Sequence, residues 1–127
     1  MKENILKDKS FRFAIRIVKL YKYLCDEKKE FVLSKQVLRS GTSVGAMVRE
    51  SEHSESKADF IHKLAIAQKE INETIYWLEL MCETEYISEK EFQNIHLEAV
   101  EIIKMITSSI KTAKLTIHHI TNENTIL

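Results

Sequence analysis

The chain has 127 residues, 44% of them hydrophobic, which suits one domain with a real core and argues against wholesale disorder. No proline and two glycines leave almost nothing for hairpin turns, and two cysteines make neither a disulfide framework nor a four-ligand zinc site. Nineteen basic and nineteen acidic residues cancel overall, yet residues 1–49 hold twelve basic and five acidic side chains, and residues 50–127 hold seven and fourteen.

Such asymmetry points either to nucleic-acid or partner contact or to attraction between the two halves. No apolar run reaches about eighteen residues, so no membrane span is expected. Met1-Lys2-Glu3-Asn4-Ile5 lacks the apolar stretch of a signal peptide. The expectation is a cytoplasmic, all-α, single-domain protein with no membrane partner, no cofactor and no small-molecule substrate.

The first helix is predicted over residues 10–27. At about 100° per residue, Phe13, Ile17, Leu20, Tyr21 and Leu24 share one face. Lys9, Arg12, Arg16 and Lys19 form a stripe opposite, which Lys22 extends. Such a stripe can neutralise phosphates without reading sequence, although a basic face on an amphipathic helix is more often simply solvated.

The second helix is predicted over residues 34–51, with Val37, Leu38, Val44 and Val48 inward. It is rich in small residues, and two mid-helix glycines cost about 1 kcal/mol each against alanine. Gly41 and Gly45 share a face, so the expected compensation is close approach of another backbone. Lys35, Arg39, Arg49 and Glu50 exclude the membrane reading of the Gly-x-x-x-Gly spacing.

Ser56, with Asp59 three residues on, opens the third helix, predicted to run to residue 83. Phe60, Leu64, Ala67, Ile71, Ile75, Leu78 and Cys82 make its core stripe. Ile66, Tyr76, Trp77 and Leu80 lie off that stripe, and a helix apolar on a second face is usually buried twice. In a four-helix domain the second burial falls to another subunit. Asp59, Lys63, Glu70 and Glu73 gather on the side of Trp77, with Asp59 and Lys63 spaced for an ion pair. They are read as a polar network at that subunit interface rather than a solvated face.

Ser88-Glu89-Lys90-Glu91 is a capping box opening a fourth helix over residues 88–119. Phe92, Ile95, Ala99, Ile102, Ile103, Ile106, Ile110, Ala113 and Ile117 keep its period. If this helix outruns its partners, Ile117, Ile120 and Leu127 meet another subunit or fray. Short connections favour an antiparallel up-down-up-down four-helix bundle over residues 1–127.

Catalysis finds little support. Glu50-x-x-His53 and Asp59-x-x-His62 imitate half of a di-metal carboxylate site, but the inward positions of the first and fourth helices are apolar apart from His96 at one edge. Cys25 and Cys82 lie on or near apolar faces. No residue activates the hydroxyls of Ser40, Thr42 and Ser43.

Arg39-Ser40-Gly41-Thr42-Ser43-Val44-Gly45-Ala46 with Glu50, followed by Ser56-x-x-Asp59-Phe60-Ile61-x-Lys63-Leu64-x-Ile66-Ala67-x-Lys69-Glu70-x-x-Glu73-Thr74-x-Tyr76-Trp77-Leu78, resembles a known family. It is similar to the four-helix-bundle proteins encoded in intervening sequences of bacterial 23S ribosomal RNA genes. The resemblance implies a ring-like homo-oligomer, a pentamer, in which Arg39, Ser40, Thr42, Glu50, Asp59, Lys63, Glu70 and Trp77 match the family pattern. A related branch, the accessory protein of diversity-generating retroelements, is basic and binds nucleic acid. This chain departs from that branch in its neutral charge, and Met47 stands where many family members carry Asn. The resulting expectation is a non-enzymatic, RNA- or DNA-associated scaffold, with a protein-interaction adaptor as the alternative.

Overall fold

The computed structural model describes the backbone of residues 2–126 and the side chains of residues 5–116. Four helices follow in order: α1 (Lys2–Asp26), α2 (Leu33–Ser51), α3 (Lys57–Glu83) and α4 (Glu89–Ile126). Each packs on the next and α4 returns to α1, giving the all-α antiparallel bundle expected from the periodicity. No helix among the described residues is long and apolar enough to cross a membrane.

The core follows the predicted stripes. Phe13, Ile17 and Leu24 meet Val37 and Val44, Leu64, Ile71 and Leu78, and Ile102 and Ile106, all fully buried. Two boundaries differ. α1 begins at Lys2 rather than Ser10, because Leu6, two turns before Phe13, is buried and continues the core stripe. α4 runs to Ile126, past the expected end at His119. The contacts anticipated for Ile117, Ile120 and Leu127 lie outside the described side chains.

The glycines bring α2 against α1. A Cβ on Gly45 would stand 3.2 Å from the Ser10 carbonyl oxygen, so there the approach is to backbone. A Cβ on Gly41 would stand 2.8 Å from the Ile17 side chain, so there the space is filled by a core residue instead. On its other side α2 meets α3 through two buried hydroxyls, Ser40 and Thr74, hydrogen-bonded at 2.8 Å.

Both anticipated caps form. The Asp59 N–H donates to Ser56 Oγ at 3.0 Å, and Ser88 and Glu91 exchange both bonds of the capping box at 2.9 and 3.1 Å. A third cap has no simple sequence signature. The Glu30 carboxylate accepts the N–H groups of Val32, Leu33 and Ser34 at 3.2, 2.9 and 2.7 Å, covering the start of α2. Partial burial raises the Glu30 pKa, but the three backbone donors outweigh it and lower the carboxyl below its ordinary value.

With both glycines committed to helix packing, the turns use other residues. Lys29 after α1 and Glu85 after α3 take the left-handed conformation at φ 54° and 66°. The Tyr86 N–H then returns to the Met81 carbonyl at 2.9 Å, closing the end of α3.

Candidate functional site

The outer face of α2 and α3 gathers most of the residues that the sequence places at a subunit interface. Arg39 on α2 reaches across to α3, donating from Nη1 to Glu70 at 2.9 Å and from Nη2 to Glu73. The Trp77 indole N–H donates to the same Glu73 carboxylate at 2.9 Å. That indole bond lowers the Glu73 pKa, burial opposes it, and Arg39 adds to the lowering. Tyr76 packs edge-on to Trp77 at 5.0 Å between ring centroids and is 57% exposed. Ile66 and Leu80 are half-buried alongside.

Several residues of this set are engaged within the subunit. Ser40 is fully buried and hydrogen-bonded to Thr74, so it is spent inside the subunit. Thr42 donates to the Leu38 carbonyl of its own helix at 2.7 Å. Asp59 and Lys63 do not pair: Asp59 accepts the Glu55 N–H at 3.3 Å at the start of α3, and Lys63 turns to Glu50 on α2 at 3.3 Å.

The basic stripe of α1 faces the acidic side of α4. Lys9 pairs with Glu101 at 2.7 Å and Arg16 with Glu98 at 3.1 Å, while Arg12 pairs within α1 to Asp8 at 3.2 Å. Attraction between the two halves therefore accounts for part of the charge asymmetry. Lys19 and Lys22 are exposed and carry no ion pair among the described residues. The stripe is thus a line of exchangeable pairs ending in two open cations, since exposed pairs contribute little and yield to competing anions.

The structure adds features that periodicity did not reveal. Phe11 and Ile15 stand exposed on the outer side of α1, with the Arg49 guanidinium 5.0 Å over the Phe11 ring. A groove of about 230 Å³ lies between the second half of α1 and the start of α4, edged by Arg16, Lys19 and Tyr23. A larger cavity of about 630 Å³ opens at the other end of the bundle, between Leu6, Phe60 and Ala113. Exposure of Tyr23 was readable from its position off the core stripe, whereas the groove needed the placement of α4.

Among the described residues, no group of three or more His, Cys, Asp or Glu side chains is gathered as metal ligands. Both cysteines are free. Desolvation and the neighbouring Glu89 push the Cys82 thiol up, away from a nucleophilic thiolate.

A family model described as 23S rRNA-intervening sequence protein matches residues 2–108. A crystal structure at 1.70 Å of a protein with unknown function from the S23 ribosomal protein family of Bacteroides thetaiotaomicron is also similar. It is 58% identical, covers 87% of this chain and 99% of its own, and superposes with a TM-score of 0.86. No curated protein matches significantly.

Proposed function

We propose, from the premise that this chain belongs to the 23S rRNA-intervening sequence protein family, that it is a non-enzymatic cytoplasmic scaffold. It assembles with copies of itself through the α2–α3 face and holds RNA along α1. The observation that carries the assembly is the Arg39–Glu70–Glu73–Trp77 network with Tyr76 exposed beside it. Charged groups satisfied within the subunit can enter an interface without being left unpaired. A ring of five copies is the arrangement that family resemblance favours.

Size-exclusion chromatography with light scattering tests the assembly. Trp77→Asp puts an unpaired carboxylate at the contact and should release smaller species. Trp77 also packs partly against the core, so a circular dichroism melt of the variant separates loss of the contact from loss of the fold. A variant that elutes like the parent places the contact elsewhere.

Lys19 and Lys22, open at the end of the α1 stripe, support the RNA half of the reading. Titration with structured RNA and duplex DNA should show affinity falling steeply with salt, and each lysine-to-alanine change should flatten the slope by about one. Exposed Phe11 and Ile15 favour a protein partner instead. Failure to bind either nucleic acid at about 50 mM salt hands the function to that adaptor reading.

A further inference from the structure

Ion pairs line α1 as far as Arg16, which meets Glu98, and none follows it among the described residues. Towards its start, Lys9 and Arg12 lean on Glu101 and Asp8. Towards its end, Lys19 stands open beside Tyr23, a residue 38% exposed at the edge of the groove against α4. The floor of that groove is apolar, made by Leu20, Ile87 and Ile95. Its volume of about 230 Å³ falls below the roughly 300–1,000 Å³ of pockets that enclose whole ligands. A single aromatic ring entering from outside is of a size with that volume.

An apolar floor, an aromatic edge and two cations on the same rim are the elements by which proteins hold single-stranded nucleic acid. We propose that this groove seats one unpaired base of a single-stranded RNA against Tyr23, with the neighbouring phosphates on Arg16 and Lys19. The inference rests on the RNA reading above and narrows it to a strand class and a site. Arg16 meets Glu98 through one nitrogen at 3.1 Å and both side chains remain in contact with water, so a phosphate, a two-pronged acceptor, can compete for the guanidinium. A duplex presents no free base to the groove, because its bases are paired and stacked.

Glu91 forms the opposing wall and sets the polarity of binding. Its carboxylate accepts the Ser88 N–H at 2.9 Å in the α4 capping box, and that backbone bond, the Ser88 hydroxyl and nearby Lys28 keep it ionised. It therefore repels phosphate and confines the strand to the Arg16 and Lys19 side. Glutamine serves the capping box as well as glutamate. Glu91→Gln thus removes the repulsion and leaves the helix start intact.

Fluorescence anisotropy on the full chain tests the site, with a labelled oligouridylate, a labelled RNA duplex of the same length, and free uridine monophosphate and polyglutamate as competitors. The oligouridylate should bind more tightly than the duplex. Tyr23→Ala should weaken it roughly ten-fold, Tyr23→Phe should restore it, and Glu91→Gln should tighten it a few-fold. Monophosphate should compete weakly, because it offers one phosphate where the rim holds two. Circular dichroism melts of each variant should match the parent.

If Tyr23→Ala binds the oligouridylate like the parent while Lys22→Ala weakens it, the groove is wrong and the RNA reading stands. Preference for duplex, or equal displacement by polyglutamate, also removes the groove. If the parent binds no RNA at about 50 mM salt, the RNA reading itself fails and this site falls with it.

Discussion

The seams on the two sides of the bundle are built from opposite materials. α2 meets its neighbours through small residues: Gly45 against the Ser10 backbone, Gly41 against Ile17, and Ser40 against Thr74. α4 meets α1 in part through long charged side chains, Lys9 to Glu101 and Arg16 to Glu98. Small residues let helices approach until dispersion and buried hydrogen bonds contribute most of the energy. Long side chains span a wider gap and contribute little, because both ends remain in water. The first seam is rigid and intolerant of change. The second is adjustable, and its anions can be exchanged for others.

Overfilling the tight seam should have the largest effect. Gly45→Leu forces atoms into the Ser10 carbonyl and should lower unfolding free energy by about 3 kcal/mol, measured by urea denaturation. Thr74→Val deprives the buried Ser40 hydroxyl of its partner and should cost about 1–3 kcal/mol in the same assay. If Thr74→Val proves neutral, the α2–α3 contact is held by shape alone.

The start of α2 offers a pH-dependent test. Glu30 has its pKa lowered by folding, so its stabilisation is present above the ordinary carboxylate range and fades as pH falls through the lowered value. Glu30→Ala should cost about 1 kcal/mol at neutral pH. The gap between variant and parent melting temperatures should close in acid. A gap that persists there would mean that the lost contacts are apolar.

The wide seam should respond least. Lys9→Ala combined with Arg16→Ala should melt like the parent, within the scatter of the measurement. A clear loss would show that the α1–α4 pairs carry structural weight, and the contrast between the seams would disappear.

Much of this was legible in the chain. Period placed α2 and α3, and the Ser56 and Ser88 signals marked the starts of α3 and α4 that the structure contains. Partners across the bundle were not legible. Asp59 and Lys63 are spaced for an ion pair one turn apart, but helix-start geometry claims Asp59, and Glu50 on α2 is the acceptor within reach of Lys63. Lys9 finds its carboxylate 92 positions along the chain, a pairing no local pattern encodes. The early start of α1 is hard to read because, among the described residues before Ser10, Leu6 alone is a core residue, and it stands beside exposed Ile5 in a stretch rich in charge. The Glu30 cap was missed because glutamate at that position is ordinary in a loop and becomes a cap only when the Lys29 turn folds it back.

The order of helices around the ring also has a kinetic meaning. Three of the four contacts join helices adjacent in sequence, and only α1 with α4 brings the two ends of the chain together. Neighbouring hairpins form after closing short loops, whereas the final contact waits for the chain to come full circle. The α1–α4 contact should therefore be the last to close and the first to open, which native-state hydrogen exchange would read. The groove beside Tyr23 lies along that same line. On the proposal above, a strand bound there would act as a clasp, slowing the opening of the whole bundle from the outside.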